Sequence, residues 1–313
     1  MVKKIVSNLV SVIIVTYNRK NIVVDCLNSV FRLNYPQIEV IVVDNNSQDN
    51  TVGIVKKKFP QVKIVVLKTN LGLNAGKNAG QAKAGGDYIL FLDSDTLVDK
   101  NLLTWLVKLA KSDPKIGLVC PKMYYSKPKN VIWYAGASVN LLTSQTKNYG
   151  CNQQDLGQFD QIRETQFAPT AYLVTRKVIS QLKNHNKNLF MTYGDTDYGF
   201  RTREAGFKVM FCPKAKLWHR LNQLENTKTI RTLGFNAPLR AYYFSRNRVI
   251  FMKSHASKLN FILFLFIFFP AVTFYISGKI IIYRGWQFFI PHWQGTFDGL
   301  RYLINHKIKN NWQ

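Results

Sequence analysis

Between Val10 and Leu92 the sequence alternates short apolar runs, rich in β-branched residues, with amphipathic stretches of helical length. Continuously apolar strands separated by helices are typical of βαβ units in a sheet that is covered on both faces. The pattern therefore predicts an α/β fold, a Rossmann-like and mostly parallel sheet with helices on both faces. The predicted strands are Val10–Thr16, Glu39–Asp44, Lys63–Leu67 and Tyr88–Leu92, and the predicted helices lie near Lys20–Phe31, Thr51–Phe59 and Asn74–Ala84.

The two ends of this pattern, the first apolar run and the region after the fourth predicted strand, predict further elements. The run Leu9–Val15 has no small-residue cleavage site after it, so it predicts a strand rather than a signal peptide. Residues from about Leu102 to Gly117 predict another helix. Leu118 to roughly Trp218 predicts a mixed region with less regular strands, and no internal repeat is evident in the sequence.

The basic balance of the chain limits its partners. Its 313 residues include 43 basic and 17 acidic side chains, for a formal net charge of +26. This charge indicates an anionic partner: nucleic acid, an acidic membrane surface or a phosphorylated substrate. A hydrophobic content of 47% supplies ample core and argues against disorder. The four cysteines are far apart, which indicates neither a zinc site nor a disulfide framework and fits a reducing cytosolic setting.

One predicted strand runs directly into two carboxylates, because Tyr88–Leu92 is followed by Asp93, Ser94 and Asp95. Hard cations prefer oxygen ligands, and Mg²⁺ is usually held by one or two carboxylates together with substrate phosphates. In open α/β sheets, ligands bind outside the carboxyl ends of the strands. The pair therefore indicates a Mg²⁺ or Mn²⁺ site for nucleotide chemistry. The alternative is that Asp95 caps a helix starting near Leu97.

Other polar residues follow the neighbouring predicted strands. Asp44 is well placed to accept a hydrogen bond from a pyrimidine N3–H, although the residues around it also favour a plain turn and helix cap. The glycine-rich stretch Asn70–Gly80 opens a helix whose N-terminus favours anions, and Lys77 adds a charge for a diphosphate. The alternative for this stretch is tight packing of the helix on the sheet, which accounts for Gly80.

Three further polar residues occur later in the chain. Asp195 and Asp197 lie two residues apart at the start of a predicted helix, where the helix dipole favours negative charge. One of them could instead act as a general base toward a hydroxyl, but spacing alone favours helix charge. His219 is either an ordinary half-buried histidine or the third ligand of a cation that Asp95 also holds.

Beyond Arg240 the chain is strongly basic and contains one long apolar stretch. Leu259–Ser277 reaches the roughly 20 residues that a helix needs to span a bilayer. Pro270 permits a kinked span or a shallow helical hairpin, and Trp286 and Trp293 belong to an aromatic belt of interfacial type. Because basic residues flank the stretch on both sides, the pattern favours a monotopic or re-entrant anchor over a crossing. The alternative is a buried core helix.

Jointly and in this order, the motifs resemble those of the family 2 glycosyltransferases with the GT-A fold, most of all the rhamnosyltransferase-like branch that builds cell-surface polysaccharides. The resemblance covers about residues 10–252. It rests on Val15–Asn18, Val42–Ser47, Asn70–Gly80, Phe91–Asp95, Asp195-x-Asp197, His219 and Arg246-Asn247. It implies a catalytic domain over residues 1–250, with a nucleotide-binding half at about 8–100 and an acceptor half at about 101–250, followed by a membrane-associated region over 251–313.

The resemblance also implies roles for individual residues. They are the catalytic base Asp195; the metal ligands Asp95, His219 and Asp93; the nucleotide-binding residues Thr16, Tyr17, Asn18, Asp44, Asn46, Gly72, Lys77, Asn78, Asp93, Ser94 and Arg246; and, on the acceptor side, Asp197 and Arg201. The sequence departs from the family in one place, because Gly194 stands where the family has an acidic residue before the base.

These roles imply an inverting, metal-dependent transfer of a sugar from a nucleotide-diphosphate donor, of dTDP-rhamnose or UDP-hexose type, to a hydroxyl of a lipid-linked or polysaccharide acceptor. The expected cofactor is Mg²⁺ or Mn²⁺. The expected partners are the donor, a polyprenyl-linked or glycan acceptor and the membrane surface, with no nucleic acid. The expected location is the cytoplasmic face of the cell membrane, with a monotopic, re-entrant or single-pass anchor through about residues 259–283.

Two other functions remain open from the residues. A phosphatase of the haloacid dehalogenase type also uses a strand-terminal Asp-x-Asp, but on the first strand of the chain and with Thr or Val two positions after the second Asp, where this chain has Leu97. The other is a non-enzymatic basic protein that binds membranes or nucleic acid. Against it, the sequence has no zinc-finger spacing and no aromatic and basic RNA motif.

Overall fold

The computed structural model of the chain describes residues 8–222, 237–283 and 285–305. These residues divide into two compact units. The first comprises residues 8–137, 148–185 and 198–222, and the second comprises residues 138–147, 186–197, 237–283 and 285–305.

The first elements of the chain alternate strand and helix as predicted. They are β1 (Val10–Thr16), α1 (Lys20–Val30), β2 (Ile38–Asp44), α2 (Thr51–Lys58), β3 (Lys63–Val66), α3 (Leu73–Gln81) and β4 (Tyr88–Asp93). β1 pairs in parallel with β2 and β4, and β2 pairs in parallel with β3. β1 is buried along its whole length, because it lies inside the sheet and both of its faces are covered. The predicted βαβ pattern is confirmed here.

The later strands make the sheet mixed. The elements are β5 (Thr96–Val98), α4 (Leu102–Ser112), β6 (Ile116–Lys127), β7 (Ile132–Tyr134), β8 (Ala137–Val139), β9 (Thr146–Asn148), β10 (Arg163–Glu164), β11 (Ala171–Thr175), α5 (Arg176–Leu182), α6 (Gly194–Glu204) and β12 (Lys208–Asn222). The sheet order is β10-β12-β6-β11-β4-β1-β2-β3. β11 lies antiparallel between β4 and β6, whereas β6 and β12 are parallel. The prediction of a mostly parallel sheet therefore holds for β1 to β4 and is corrected to a mixed sheet beyond them.

Two predicted helix limits are wrong. The helix expected to reach Gly117 ends at Ser112, because Pro114 cannot donate a backbone hydrogen bond and pushes the preceding Asp113 into an extended conformation. Ile116 already begins the buried strand β6. The helix expected to start near Leu97 is strand β5, so Asp95 does not cap a helix.

Glycines allow α3 to lie directly on the sheet. A Cβ atom at Gly80 would overlap the side chain of Ile13, and one at Gly76 would lie 2.6 Å from Val15 Cγ1. The packing interpretation of Gly80 is therefore confirmed. Gly72 precedes the helix with φ of +86°, a conformation that favours glycine. The N-terminus of α3 is thereby held close to the carboxyl end of β1.

The second unit contains a group of C-terminal helices. They are α7 (Pro238–His255), α8 (Lys258–Leu263), a π-helical segment (Phe264–Phe268), α9 (Phe269–Tyr283) and α10 (Trp286–Asn305). Gly295 and Gly299 of α10 face the backbone of α7 at Tyr242 and Arg246, where a Cβ atom would crowd the carbonyl oxygens. Tyr242 Oη also donates a hydrogen bond to Asp298 Oδ2 over 2.7 Å. α7 and α10 therefore pack closely together.

The apolar stretch forms one continuous helical path over Lys258–Tyr283, 26 residues that are long and apolar enough to cross a membrane by length and composition. The helical hairpin at Pro270 is not observed. A π-helical segment instead ends at Phe268, two residues before this proline, which removes a backbone donor from the usual helical ladder. A buried core helix is also excluded, since only 22% of its most apolar 18-residue window is buried. The large exposed side chains of the stretch are Leu259, Ile262, Phe266, Ile267, Phe274, Tyr275, Ile281, Ile282 and Tyr283.

Candidate active site

Polar side chains from three strands meet at one edge of the sheet in the first unit. Thr16 at the end of β1 pairs with Asp44 at the end of β2, and Val15 pairs with Asp93 at the end of β4. Because β1 lies between β2 and β4, the register brings the three polar strand ends together. This edge is where the sequence predicted a ligand.

Asp93, Asp95 and His219 form a cluster that can hold a metal ion. Their ligand atoms all lie within 4.8 Å of one another. His219 reaches the two aspartates because β12 pairs antiparallel with β5, which places His219 opposite Thr96, the residue after Asp95. The predicted third ligand is thus brought to the carboxylate pair by long-range strand pairing.

The cluster has atoms available for a cation. His219 Nε2 lies 3.2 Å from Asp95 Oδ1, while His219 Nδ1 is buried and, among the described residues, has no hydrogen-bond partner. The ring of Trp133 meets the imidazole edge to face at 4.7 Å and restricts its orientation. Two carboxylates and an imidazole are a donor set that suits Mn²⁺ or Mg²⁺ when phosphate oxygens complete it. The residues present therefore fit the predicted metal.

Arg19 is a member of the site that the sequence did not predict. Its Nη1 lies 2.5 Å from Asp95 Oδ2. Burial raises the pKa of the Asp95 carboxyl, but the hydrogen bond from His219 and the charges of His219 and Arg19 outweigh burial and hold this pKa well below its usual range. Asp95 is therefore ionised at neutral pH, as a metal ligand must be. The signal for Arg19 was its place directly after Thr16, Tyr17 and Asn18, which were predicted to bind the nucleotide.

Beside the cluster, two buried oxygens lack partners. Asp44 is 1% exposed, and its Oδ2 accepts a hydrogen bond from the Ser47 backbone N–H over 2.8 Å. Asp44 Oδ1 and Thr16 Oγ1 are buried and have no hydrogen-bond partner within the part of the chain that the structure describes. Buried polar atoms are normally paired, so these two oxygens indicate a polar ligand that completes them.

The loops after β1 and β2 hold each other in place. The Asn18 backbone N–H donates to Ser47 Oγ over 2.8 Å, and the Gln48 backbone N–H donates to Asn18 Oδ1 over 2.7 Å. Asn18 and Asn46 have φ of +51° and +69°, a region that asparagine tolerates better than most residues. Tyr17 is 43% exposed and accessible to a ligand. These contacts fix the two loops beside the strand ends and form a wall next to Asp44 and Thr16.

Asn45 links this wall to α3. Its Nδ2 donates to the Gly72 carbonyl over 3.3 Å, and its Oδ1 accepts from the Leu71 backbone N–H over 3.4 Å. The side chain is 3% exposed. Asn45 lies within the motif that carried the family resemblance, but sequence reasoning gave it no role of its own. It positions the glycine turn at the start of α3.

Lys77 and Asn78 lie deeper than the sequence predicted. Lys77 is 1% exposed, with its Nζ 3.4 Å from Tyr172 Oη. Asn78 binds the backbone of His185 through both its amide nitrogen and its oxygen, at 2.9 and 2.7 Å. Tyr172 Oη lies 2.7 Å from His185 Nε2, and burial together with the charges of Lys77 and Arg201 keeps the pKa of His185 well below its usual range. The diphosphate contact of Lys77 stays a prediction, and its observed surroundings are interior.

The remaining predicted residues are found in both units. Ser94 is 4% exposed, and Arg201 lies over the ring of Tyr198 at 5.2 Å, both within the first unit. Asp195, Asp197 and Arg246 belong to the second unit. Asp195 lies in the first turn of α6.

Asp197 and Arg246 each have partners inside the second unit. Asp197 Oδ1 lies 3.0 Å from His255 Nε2, and both side chains are almost completely buried. Arg246 is 1% exposed, donates to the Asn188 carbonyl over 2.5 Å and lies 4.6 Å above the ring of Tyr243. Their predicted contacts with the acceptor and the nucleotide stay predictions. His255 and Asn188 were not singled out from the sequence.

Part of the chain is similar in sequence to a known polysaccharide synthase. Over 112 residues the chain is 35% identical to a poly-beta-1,6-N-acetyl-D-glucosamine synthase of Staphylococcus epidermidis. This match covers 35% of the chain and 27% of the synthase, so the chain spans well under half the length of that relative.

Two solved structures share the fold. One is residues 1–349 of TarS from S. aureus in complex with UDP-GlcNAc, with a TM-score of 0.59, 17% identity, and coverage of 94% of this chain and 81% of TarS. The other is the mannosyltransferase PcManGT from Pyrobaculum calidifontis with GDP-Man and Mn²⁺, with a TM-score of 0.54, 14% identity, and coverage of 95% and 87%. The predicted GT-A fold is thereby confirmed.

The model of one protein family matches residues 11–182, which is more than half of the chain. The matched segment contains the ends of β1, β2 and β4, and therefore Thr16, Asp44, Asp93 and Asp95. The description of that family is "Glycosyl transferase family 2". The chain belongs to glycosyl transferase family 2.

Proposed function

We propose that the protein is an inverting, metal-dependent glycosyltransferase that moves a sugar from a nucleotide-diphosphate donor to a hydroxyl of a lipid-linked or polysaccharide acceptor. The observation that carries this proposal is the cluster of Asp93, Asp95 and His219 beside the two unpartnered oxygens of Asp44 and Thr16. The cluster suits a divalent cation, and the two oxygens suit the polar edge of a nucleotide base. Family membership makes the phosphatase and the non-enzymatic alternatives the weaker hypotheses.

The buried oxygens of Asp44 and Thr16 support a pyrimidine as the base of the donor nucleotide. Uracil and thymine each carry one N3–H, which can donate to the buried Asp44 Oδ1, and carbonyl oxygens, which can accept from Thr16 Oγ1. Tyr17, Asn18 and Asn46 would border the base and ribose, and Ser94 would lie near the ribose with Asp93. TarS binds UDP-GlcNAc, which fits the same chemistry. The proposed donors are of UDP-hexose or dTDP-rhamnose type, the latter as in the rhamnosyltransferase-like branch.

The cluster of Asp93, Asp95 and His219 supports the proposal that a cation assists departure of the diphosphate. Asp95, His219 and Asp93 would hold Mg²⁺ or Mn²⁺, and Mn²⁺ is present in the PcManGT complex. When bound, the cation offsets the negative charge that builds on the leaving diphosphate. Arg19 forms an ion pair with Asp95 and so adds positive charge beside the metal cluster. Gly72 exposes the N-terminus of α3 to the phosphates, and Lys77 raises the positive potential of this region.

Asp195 is the proposed general base. Its carboxylate would take the proton from the acceptor hydroxyl as that oxygen bonds to the anomeric carbon, while the bond from this carbon to the diphosphate breaks and its electrons leave with the diphosphate. Attack from the opposite face inverts the configuration, so no covalent enzyme intermediate is needed. Gly194 in place of an acidic residue leaves this proposed base without an ionisable neighbour on its N-terminal side.

A panel of nucleotides tests the proposed donor. We expect UDP, dTDP and their nucleotide sugars to raise the melting temperature of the protein in the presence of Mn²⁺. The pyrimidine would donate to Asp44, and the diphosphate would complete the coordination of the cation. ADP serves as the control, because the adenine ring has no N–H that could replace the pyrimidine N3–H. Stabilisation by purine and pyrimidine diphosphates alike would contradict the assignment of Asp44 to a pyrimidine.

The C-terminal helices support a location at the cytoplasmic face of the cell membrane, where a polyprenyl-linked acceptor would be reached. Helix residues 258–283 present a largely exposed apolar surface. Lys253, Lys258, Lys279 and Arg301 lie within or beside these helices, and each basic residue near anionic lipid contributes about 1 kcal/mol. Because the segment is one continuous helical path, we propose monotopic or single-pass attachment through it.

Vesicle binding tests the anchor. We expect the protein to co-sediment with vesicles that contain anionic lipid, and the Phe266→Ser and Phe274→Ser variants to bind about tenfold to a hundredfold more weakly each, because a buried Phe contributes about 1.5 to 3 kcal/mol. These side chains are 74% and 65% exposed. Leu156→Ser, at a residue of the first unit that is 79% exposed, is the control. An equal loss for the control would contradict a specific lipid surface.

A further inference from the structure

The segment that leads into α6 has an unusual backbone. Thr192 and Tyr193 have φ of +58° and +55°, in the left-handed region that β-branched and bulky residues rarely adopt. The Asp197 backbone N–H donates to the Tyr193 carbonyl over 2.8 Å, so the helix begins directly from this strained pair. Such a conformation persists only where neighbouring groups hold it. Asp195 lies in the turn that follows.

α7 supplies contacts that hold the start of this segment. Asn247 Nδ2 donates to the carbonyl oxygens of Met191 and Thr192 over 2.7 and 3.2 Å. Asn247 is fully buried, at 0% exposure. Arg246 Nη2 donates to the Asn188 carbonyl over 2.5 Å. Backbone carbonyls before the strained pair, and that of its first residue, are therefore bound by two consecutive side chains of α7.

α7 also holds the other end of the turn. His255 Nε2 lies 3.0 Å from Asp197 Oδ1, and the two side chains are 2% and 4% exposed. The ring of Phe251, one turn earlier on α7, packs on His255 at 4.8 Å and on Tyr193 at 5.2 Å. A buried carboxylate with an imidazole partner is a costly arrangement to disrupt, since removing one member takes a close polar contact away from a buried group. Asp195 thus lies between two points that α7 fixes.

We propose that Asn247 and His255 are positioning residues for the general base. Asn247 fixes the backbone at residues 191 and 192, His255 fixes residue 197, and together they set the direction in which the first turn of α6 presents Asp195. This inference rests on the proposed function, because it takes Asp195 to be the base. A misplacement of about 1 Å can reduce a rate by about a hundredfold, so such residues affect turnover without contacting substrate.

The test compares kcat with donor KM for Asn247→Ala and His255→Phe. We expect kcat per binding-competent enzyme to fall between about tenfold and a hundredfold, with little change in donor KM. Calorimetric titration with the donor nucleotide counts competent protein, so partial unfolding does not mimic the effect. Hydrogen exchange of the amides of residues 191–197 should accelerate in both variants.

His255→Gln is the conservative variant, because its amide can donate near the position of Nε2. We expect its kcat to stay within about threefold of that of the unsubstituted protein. If His255→Phe does not fold, the kcat of His255→Gln tests the positioning role of His255, and a larger loss would contradict it. Ser254→Ala is the matched control on α7, since Ser254 Oγ bonds to the Ile250 carbonyl of its own helix.

The failures of the two proposals are distinguishable. Unchanged kcat in Asn247→Ala and His255→Phe, in a protein that Asp195→Asn inactivates, would overturn the positioning role and leave the proposed base intact. Turnover that survives in Asp195→Asn would overturn the base, and the positioning role with it.

Discussion

Replacing Asp195 by asparagine is expected to lower the rate of sugar transfer between about a hundredfold and ten-thousandfold, the range that a positioned general base supplies. Asparagine has nearly the shape of aspartate but cannot take the proton of the acceptor hydroxyl. Affinity for the donor nucleotide should not change, because in this account the base and the phosphates are bound by Asp44, Asp93, Asp95 and His219. The measurements are single-turnover transfer and calorimetric titration with the nucleotide.

Glu204→Gln is the matched control for that variant, because it removes a carboxylate from the last turn of the same helix, α6. Its rate should equal that of the unsubstituted protein. Full transfer by Asp195→Asn would remove Asp195 as the base and would redirect the search to another carboxylate. A parallel loss in Glu204→Gln would indicate a general effect on α6 instead of proton transfer.

The second large effect is expected for Asp95→Ala, which removes the carboxylate bound by both Arg19 and His219. We expect transfer to fall about a thousandfold, the loss found when a group that stabilises developing charge is deleted. We also expect the Mn²⁺-dependent rise in melting temperature with UDP or dTDP to vanish. The measurements are transfer rates and melting curves with nucleotide, each with and without Mn²⁺.

Asp113→Asn provides the comparison for Asp95→Ala. Asp113 follows α4, and its carboxylate pairs with Lys208 at 2.8 Å. Asparagine can still accept from the Lys115 backbone N–H, so this variant should retain the nucleotide and Mn²⁺ response. A melting shift that persists in Asp95→Ala would contradict the metal role of Asp95.

The N-terminal part of the fold follows from local patterning. β1 occupies the predicted Val10–Thr16, and the other three predicted strands differ from the observed ones by one residue at an end. Continuous β-branched runs are informative because a strand covered on both faces must be apolar throughout. Helix α4 was predicted too long because Ile116 suits a helix as well as a strand, and because Pro114 was given too little weight.

The metal cluster depends on information that periodicity does not contain. His219 meets Asp95 through the pairing of β5 with β12, two segments that are separated by more than 100 residues in the chain. From the residues, His219 as a third ligand was only one of two alternatives, and the resemblance to a family favoured it. Arg19 and Asn45 lie beside or within the motifs of that resemblance but were given no role, and His255 had no signal in the sequence, because the partner of each is distant in the chain.

Interior polar contacts were the least predictable feature. Lys77 was expected at a diphosphate from its charge and from the glycines around it, whereas its Nζ lies beside Tyr172. A lysine that packs its ammonium group against aromatic rings cannot be recognised from a linear sequence, since the rings come from other elements. The same holds for Arg246 and Tyr243.

The most direct test of the central claim is anomalous diffraction from crystals of the protein grown with Mn²⁺ and UDP. We predict one manganese peak at bonding distance from Asp95 and from His219, with the diphosphate completing its coordination and the uracil N3–H facing Asp44 Oδ1. A bound nucleotide with manganese elsewhere, or with none at Asp95 and His219, would contradict the account.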